Sequence, residues 1–274
     1  MKLLLSALSA LLTLFASVAL SLSPLHAAQT PAPSDPFDHE HKLWNDVLTA
    51  HVKGDRFDYA ALKKDRVKLD AYLVQLRAAT PKQVESWTRE QRYAFWINAY
   101  NAHCIALVLT EYPVESIKDI GGWFSSVWKK AFIDMPAFHP SGKPKKLSLD
   151  DIEHGILRPT FKDARVHAAV NCASLGCPVL RPEAFVAGKL EVQLDDSARK
   201  WLADTARNRF ERESSRAQIS EIFRWFKEDF DREGGVQAWI AKFAPAEHAE
   251  WLKAAPKPRI EYVDYSWRLN DVAR

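Results

Sequence analysis

The sequence predicts an α+β fold: a mostly helical single domain with a small, largely antiparallel sheet. Apolar residues recur at helical spacing along most of the chain, whereas short apolar runs bounded by turn-forming residues are few. The two kinds of segment do not alternate regularly, as they would in a parallel α/β sheet. The composition, 47% hydrophobic and 27% charged, is that of an ordinary globular protein.

Residues 1–27 have the order of a cleavable secretory signal. Lys2 supplies a positive charge, a long uncharged apolar run follows, and small residues mark a cleavage site. No cysteine stands near that site, and no later segment is apolar for long enough to span a bilayer, so we expect no membrane anchor in the mature chain. The expectation is a periplasmic or secreted protein with a flexible lead-in at 28–38 and one globular domain at 39–274.

Helical periodicity accounts for the first half of the domain. Helices are predicted at 39–52 and 59–78, and Thr80 caps a short third helix. The longest predicted helix runs from 88 to 111 and ends before Pro113.

Strands and helices are mixed in the second half. Turn-forming residues predict hairpins at 132–147 and 209–220, and short apolar runs predict strands at 164–171 and 258–263. Ser148 begins a short helix with a capping box. Further helices are predicted at 192–206, 221–230, 236–243 and 245–253.

One carboxylate stands where burial is expected. The apolar residues of the helix after Ser148 mark a buried face, and Glu153 falls inside that stripe. A buried carboxylate loses hydration, so its pKa tends upward unless it gains hydrogen-bond donors. Glu153 is therefore either a functional carboxylate or the structural partner of an arginine, Arg158 or Arg165.

Two amides on the longest helix are also expected to be buried. Asn98 and Asn101 are three residues apart on one helical face, among large apolar side chains. Buried amides have to be hydrogen-bonded, so these side chains are predicted to hold a loop or a neighbouring side chain, or to support a binding site directly. Cys104 lies one turn further and is predicted to be an inert core thiol.

The most informative segment is the small-residue loop that begins at Cys172 and includes Ser174. Such a loop exposes a thiol and aims backbone N–H groups at one point, as an oxyanion hole requires. His167 is a candidate base, or the cation that lowers the thiol pKa. In a straight strand these two side chains point to opposite faces, because five is an odd spacing. The chain therefore bends before the cysteine, or His154 or His103 supplies the base.

Three long motifs carry a resemblance to the domain-of-unknown-function family 547. They are FWINAYNA at 95–102, LSLDDIEHGILR at 147–158 and HAAVNCASLGCP at 167–178, and the flanks at 57–59 and 262–270 are similar as well. The resemblance covers nearly all of the predicted mature chain and implies a domain without an established reaction. A Glu, His and Cys set at these positions looks like the site of a cysteine hydrolase, on a fold of that kind. The resemblance carries that site onto Glu153, His167 and Cys172.

The three cysteines are an odd number in a compartment that oxidises thiols, and four interpretations of the cysteine loop are open. In the first interpretation Cys172 and Cys177 form a disulfide. In the second Cys172 is the nucleophile of a hydrolase. Both can hold if the disulfide is a resting form of the enzyme. In the third interpretation His167 and both cysteines bind zinc, at a spacing that is unusual for structural zinc. His154 or Glu153 would then be the fourth ligand. In the fourth the loop is only a structural feature of a binding module.

The charge pattern argues against nucleic acid as a partner. The formal net charge of +3 is small, and no stripe of Lys and Arg with interleaved aromatic residues is present. No glycine spacing matches a nucleotide or flavin fingerprint, so no cofactor is expected. The expected partner is a small-molecule or peptide substrate of unknown identity.

Together these observations predict a thiol-dependent hydrolase or acyltransferase. Cys172 would attack an amide, ester or thioester carbonyl, His167 would carry the proton, and Glu153 would orient the imidazole. The predicted binding residues are Asn98, Asn101 and Ser174. The alternative is a non-catalytic periplasmic binding or assembly module that a Cys172–Cys177 disulfide stabilises.

Overall fold

The computed structural model describes residues 37–121, 126–254 and 256–273. The predicted signal sequence at 1–27 and nearly all of the predicted lead-in at 28–38 lie outside these residues. The first half contains α1 (Lys42–His51), β1 (Val52–Lys53), β2 (Arg56–Phe57), α2 (Tyr59–Lys64), α3 (Val67–Ala78), α4 (Pro81–Ser86) and α5 (Arg89–Glu111).

The long helix α5 is the centre of the fold. It begins at Arg89 because Thr88 and Gln91 form a capping box, in which the Gln91 backbone N–H donates to the Thr88 hydroxyl at 3.2 Å. Every residue from 93 to 109 is buried, so the helix is apolar on all sides and the rest of the domain packs around it.

The predicted helix at 59–78 consists of two helices in the structure, α2 and α3. Asp65 is extended there, and its side chain accepts a hydrogen bond from the Val67 backbone N–H at 3.2 Å. A short acidic side chain of this kind competes with the helical backbone and starts a new helix instead. Apolar spacing alone does not show this interruption, because both helices keep the same buried face.

The second half contains helices α6 (Leu149–Ile152), α7 (Arg158–Phe161), α8 (Val166–Ala169), α9 (Leu190–Ala203), α10 (Ile222–Trp225), α11 (Lys227–Asp231), α12 (Val236–Phe243) and α13 (Ala246–Lys253). A π-helical turn (Glu153–Leu157) joins α6 to α7. The capping box predicted at Ser148 is confirmed, with Asp151 as its second member.

The small sheet has three strands: β3 (Arg209–Glu211), β4 (Arg216–Ser220) and β5 (Arg259–Val263). The predicted hairpin at 209–220 is confirmed as the antiparallel pair β3–β4, and the predicted last strand is β5, which pairs with β4 in parallel. The strands β1 and β2 form a separate antiparallel pair. The α+β class is confirmed.

Two strand predictions need correction. The hairpin at 132–147 is reduced to one antiparallel bridge, Ile133–Leu147, with two hydrogen bonds of 2.9 Å. The strand at 164–171 is wrong, because Val166–Ala169 is the helical turn α8. Asp163 starts that turn by accepting from the Arg165 backbone N–H at 2.9 Å. A short buried apolar run is compatible with either structure, since both of its faces are covered.

Apolar side chains form two cores. The larger surrounds α5, and the smaller contains large aromatic residues from α9, α10, α11 and α12, namely Trp201, Phe223, Phe230 and Trp239. Trp201 and Phe223 stack with ring centroids 4.5 Å apart. Among the described residues, none of the helices is both long and apolar enough to cross a lipid bilayer.

The segment after β5 returns to the cysteine loop. Two backbone hydrogen bonds, of 2.9 and 2.8 Å, and one antiparallel bridge join residues 174–176 to residues 266–269. A Cβ added at Gly176 would lie 2.7 Å from the ring of Tyr265, so only glycine permits this close approach. The pairing places the aromatic side chains of residues 265–267 beside the loop.

Two buried histidines make the fold sensitive to acid. Burial lowers the pKa of His41 to about 3 and that of His103 to about 4. Below about pH 6.5 the unfolded chain binds a proton at each of these two histidines, whereas the folded protein does not. Lowering the pH therefore favours the unfolded chain and reduces the free energy of unfolding. We expect the free energy of unfolding to fall by about 1.4 kcal/mol per pH unit for each histidine between about pH 6 and pH 5.

Urea denaturation at a series of pH values measures this slope. The variant His103→Leu removes one of the two histidines that bind a proton on unfolding. The slope of its free energy of unfolding against pH should therefore be shallower by about 1.4 kcal/mol per pH unit. A wild-type stability that is independent of pH over this range would contradict the prediction.

Candidate functional site

The helical turn α8 brings His167 and Cys172 to one cavity. It removes the geometric objection to this pair, since the chain turns before the cysteine instead of running straight. The cavity has a volume of about 240 Å³, and its wall includes Glu153, His167, Cys172 and Cys177. The three residues predicted for catalysis therefore lie on the same cavity wall.

Two thiols and the Tyr265 hydroxyl, all on residues of this wall, form a compact cluster with the buried hydroxyl of Ser174. The Sγ atoms of Cys172 and Cys177 are 2.7 Å apart, and the Tyr265 hydroxyl lies 3.1 and 3.0 Å from them respectively. The Ser174 hydroxyl is 3.1 Å from the Cys172 sulfur and 2.9 Å from the Tyr265 hydroxyl. Cys172 is half-buried and Cys177 is buried.

The disulfide predicted between these cysteines is not formed in this structure. A disulfide joins its sulfurs at about 2.05 Å, whereas Cys172 and Cys177 are both free thiols at the longer distance given above. Cys104, the third free cysteine, is buried in α5, and burial holds the pKa of its thiol well above the usual value.

The two cysteines of the cluster differ in acidity. Burial raises the pKa of Cys177, but hydrogen bonds from the Cys172 thiol, the Tyr265 hydroxyl and the Cys172 backbone N–H outweigh burial and lower it to about 6. The pKa of the Cys172 thiol is raised well above its usual value, first by its hydrogen bond to Cys177 and then by burial. The pair therefore shares one proton, carried on the more exposed sulfur.

His167 is held by a carboxylate that sequence analysis did not identify. Its Nε2 lies 2.8 Å from Asp229 Oδ2, and its ring stacks on Phe226 at 4.0 Å between centroids. Burial lowers the pKa of His167, so the imidazole is neutral near pH 7. Since the carboxylate accepts from Nε2–H, the Nδ1 atom is left with the lone pair that can accept a proton.

Asp229 also forms ion pairs with two arginines. Burial raises its pKa, but hydrogen bonds from His167 and Arg158 outweigh this and hold the pKa well below its usual value. Arg158 Nε and Arg232 Nη1 donate to its two oxygens at 2.5 and 2.7 Å. The carboxylate therefore stays ionised and fixes the orientation of the imidazole.

Glu153 lies on the cavity wall, and among the described residues no arginine forms an ion pair with it. Burial raises its pKa, and Tyr100 supplies a hydrogen bond. The ion pairs of the two arginines proposed from the sequence lie elsewhere: Arg158 binds Asp229, and Arg165 binds Asp163, Glu191 and Asp195. The π-helical turn that begins at Glu153 places this residue and His154 on the same wall, and such turns are frequent at functional sites.

The predicted binding residues Asn98 and Asn101 hold the backbone rather than face the cavity. Asn101 Nδ2 donates to the Ala169 carbonyl at 3.0 Å, and its Oδ1 accepts from the Asn171 backbone N–H at 2.8 Å. Asn98 makes the same pair of contacts with the backbone of Phe185, at 2.7 and 3.1 Å. Asn101 thus fixes the chain immediately before the cysteine loop, whereas Asn98 fixes a segment further along.

Sequence analysis missed three kinds of residue at this site. Asp229 lies in a predicted helix with many other charges, and its contact with His167 spans 62 residues. Tyr265 was part of a family-like flank, but no local pattern placed it beside the cysteines. The aromatic wall formed by Trp128, Trp225 and Trp267 came from three separate segments.

The zinc interpretation has no support in the part of the chain that the structure describes. There, no group of three or more His, Cys, Asp and Glu side chains is arranged to hold a metal ion.

The Tyr265 hydroxyl is predicted to lower the thiol pKa. In the variant Tyr265→Phe the ring still packs against Gly176, but one donor to the Cys177 thiolate is lost, so we expect the pKa to rise by about one pH unit or more. The ultraviolet absorbance of the thiolate, followed against pH, measures the pKa of the Cys177 thiol. Tyr262→Phe, at an exposed tyrosine of β5, is the control and should leave the pKa unchanged. An unchanged pKa in Tyr265→Phe would show that the hydroxyl contributes nothing.

Comparison with protein families found one match. Residues 84–202 match the family described as "Protein of unknown function, DUF547", which confirms the resemblance seen in the sequence. The matched segment contains Glu153, His167 and both cysteines of the cluster, but Asp229 and Tyr265 lie beyond it. Comparisons with curated proteins and with solved structures found no match.

Proposed function

Residues 84–202 match the DUF547 family, whose description assigns no reaction, and from the site itself we propose a thiol-dependent hydrolase or acyltransferase. The observation that carries the proposal is the arrangement of the cavity wall. It combines a thiol pair that shares one proton with a neutral histidine oriented by Asp229. A nucleophile, a proton acceptor and a carboxylate that holds the acceptor are the parts that covalent acyl transfer requires.

In the first step the half-buried Cys172 is the nucleophile. Its sulfur forms a bond to the carbonyl carbon of an amide, ester or thioester while its proton passes to the Cys177 thiolate. The bond to the leaving group then breaks, and the leaving group takes that proton from Cys177. The products are an acyl-Cys172 thioester and the restored thiolate.

In the second step His167 is the base. Nδ1 accepts a proton from water as the water oxygen attacks the thioester, and Asp229 stabilises the imidazolium that forms. The carbon–sulfur bond breaks, the acid leaves, and Cys172 recovers its proton from His167. An amine in place of water would make the same protein an acyltransferase. In this assignment Asp229 takes the orienting role first predicted for Glu153.

The proposed location is outside the cytoplasm. The charged start, apolar run and small-residue site of residues 1–27 support export to the periplasm or medium. Cys172 and Cys177 would then lie in an oxidising environment, which favours disulfides over free thiols.

Alkylation with iodoacetamide at neutral pH, without prior reduction, tests the proposal. Mass spectrometry of the digested protein should show fast modification of Cys172, which passes its proton to the Cys177 thiolate as it reacts, while Cys104 in the core stays unmodified. Cys104→Ser is the matched control and should leave the labelling rate unchanged. Slow labelling of every cysteine, or recovery of a Cys172–Cys177 crosslinked peptide, would favour the non-catalytic binding module. Preferential labelling of Cys177 would overturn the choice of nucleophile.

A further inference from the structure

Two carboxylate side chains lie on the wall of the cavity. Its wall includes the carboxylates of Asp150 and Glu153, and no lysine or arginine is among the described residues that line it. Arg158 contacts His154 on the same wall, with Arg158 Nη1 2.6 Å from Nδ1 of the imidazole. The opposite nitrogen, Nε2, faces Asp150 Oδ1 at 3.6 Å. Asp150 thus has a long, weak contact and is half-exposed to the cavity.

The other side of the cavity is aromatic. Trp225 stacks on Trp267 with centroids 5.6 Å apart and planes 16° apart, and Trp128 meets Trp267 edge-on at 5.2 Å. Trp225 is 44% exposed, which is unusual for so large an apolar side chain. An indole face attracts cations more strongly than any other side-chain ring.

This aromatic wall already holds one ammonium group of the protein itself. Lys118 Nζ lies 3.9 Å from the centroid of Trp267, well within the range of a cation–π contact. That contact is independent of the carboxylates, and it shows which chemistry the indole cluster accommodates. An anionic ligand would meet the carboxylates of Asp150 and Glu153 on the cavity wall.

We propose that the substrates of this site carry a protonated amine, which lies against Trp225 and Trp267 with Asp150 as its counter-charge. This inference rests on the proposed thiol chemistry and adds the substrate class: aminoacyl amides, esters or thioesters are accepted, and acyl compounds with a carboxylate in the same place are rejected. A neutral acyl group of the same size binds without the electrostatic contribution.

Three chloroacetamides of matched size test the substrate class. N-(2-aminoethyl)chloroacetamide is cationic, N-propylchloroacetamide is its neutral analogue, and N-chloroacetylglycine is anionic. In each the Cys172 sulfur displaces chloride and forms a thioether, so neither acyl transfer nor turnover is needed. Each rate is divided by the rate of the same compound with 2-mercaptoethanol. We expect the cationic compound to label Cys172 about tenfold faster than the neutral one, and the anionic compound to be the slowest.

Two variants locate the effect. Asp150→Asn and Trp225→Leu should each bring the ratio of cationic to neutral labelling close to one. The control Glu250→Gln removes an exposed carboxylate on α13 that does not line the cavity, and should leave the ratio unchanged. Equal rates for the cationic and neutral compounds in the wild type, or the same ratio in all variants, would overturn the amine site while leaving the thiol proposal standing.

Failure of the thiol proposal has a different signature. If none of the three compounds labels Cys172, the proposed function is wrong, and the amine site is then decided by binding alone. Tryptophan fluorescence of the wild-type protein is titrated with N-acetylethylenediamine and with N-propylacetamide. Tighter binding of the cationic amide supports the amine site, and equal binding overturns it.

Discussion

Replacing Asp229 by asparagine is expected to slow acyl transfer by about a thousandfold or more, because a neutral amide neither stabilises the imidazolium nor enforces the tautomer that leaves Nδ1 free. The steady-state rate of hydrolysis of a thioester substrate measures the loss, because His167 and Asp229 act in the second step. The same change leaves Arg158 without its buried partner, so the free energy of unfolding should also fall, by about 3 kcal/mol.

The control for this variant is Asp163→Asn. Asp163 is a second aspartate with little side-chain exposure (9%), and it pairs with Arg165 but does not line the cavity. We expect a loss of stability of the same kind with the rate preserved. If both variants lose activity in proportion to their stability, Asp229 has a structural role only.

Replacing Asn101 by alanine should destabilise the protein strongly. It leaves a buried carbonyl, that of Ala169, and a buried N–H, that of Asn171, without partners, which costs about 2 to 4 kcal/mol. Because these groups lie just before Cys172, we also expect the labelling rate of that thiol to fall by at least about tenfold. Urea denaturation and iodoacetamide kinetics measure the two effects.

Asn98→Ala is the matched comparison, because Asn98 makes an equivalent pair of hydrogen bonds to the backbone of Phe185. Its loss of stability should be similar, and the reactivity of Cys172 should be unchanged. Equal effects of the two variants on reactivity would show that the position of the thiol does not depend on Asn101 in particular.

Local chemistry was sufficient to predict much of this fold. The capping boxes at Thr88 and Ser148 and the hairpin at 209–220 depend on neighbouring residues, so the sequence contains all that is needed to place them. The turn α8 was mistaken for a strand because its apolar residues are buried on all sides, and burial of that kind removes the periodicity that distinguishes helix from strand.

The candidate site was predictable only in part, for a related reason. Glu153, His167 and Cys172 stand out because each is a reactive or polar group in an apolar or small-residue context. Asp229 and Tyr265 have no such contrast with their neighbours, and only the fold brings them to the cavity, across 62 and 93 residues of chain. Long-range partners of this kind are set by topology, which local patterns do not encode.

The pairing of residues 174–176 with residues 266–269 has a consequence for the order of folding. Closing a loop of 93 residues costs on the order of 4 kcal/mol in chain entropy, so this contact forms after the local helices have made their own. Until then Cys177 has no tyrosine hydroxyl beside it, and its thiol keeps an ordinary acidity. The chain therefore acquires the acidic Cys177 thiol, and with it the proton acceptor proposed for Cys172, only as folding is completed.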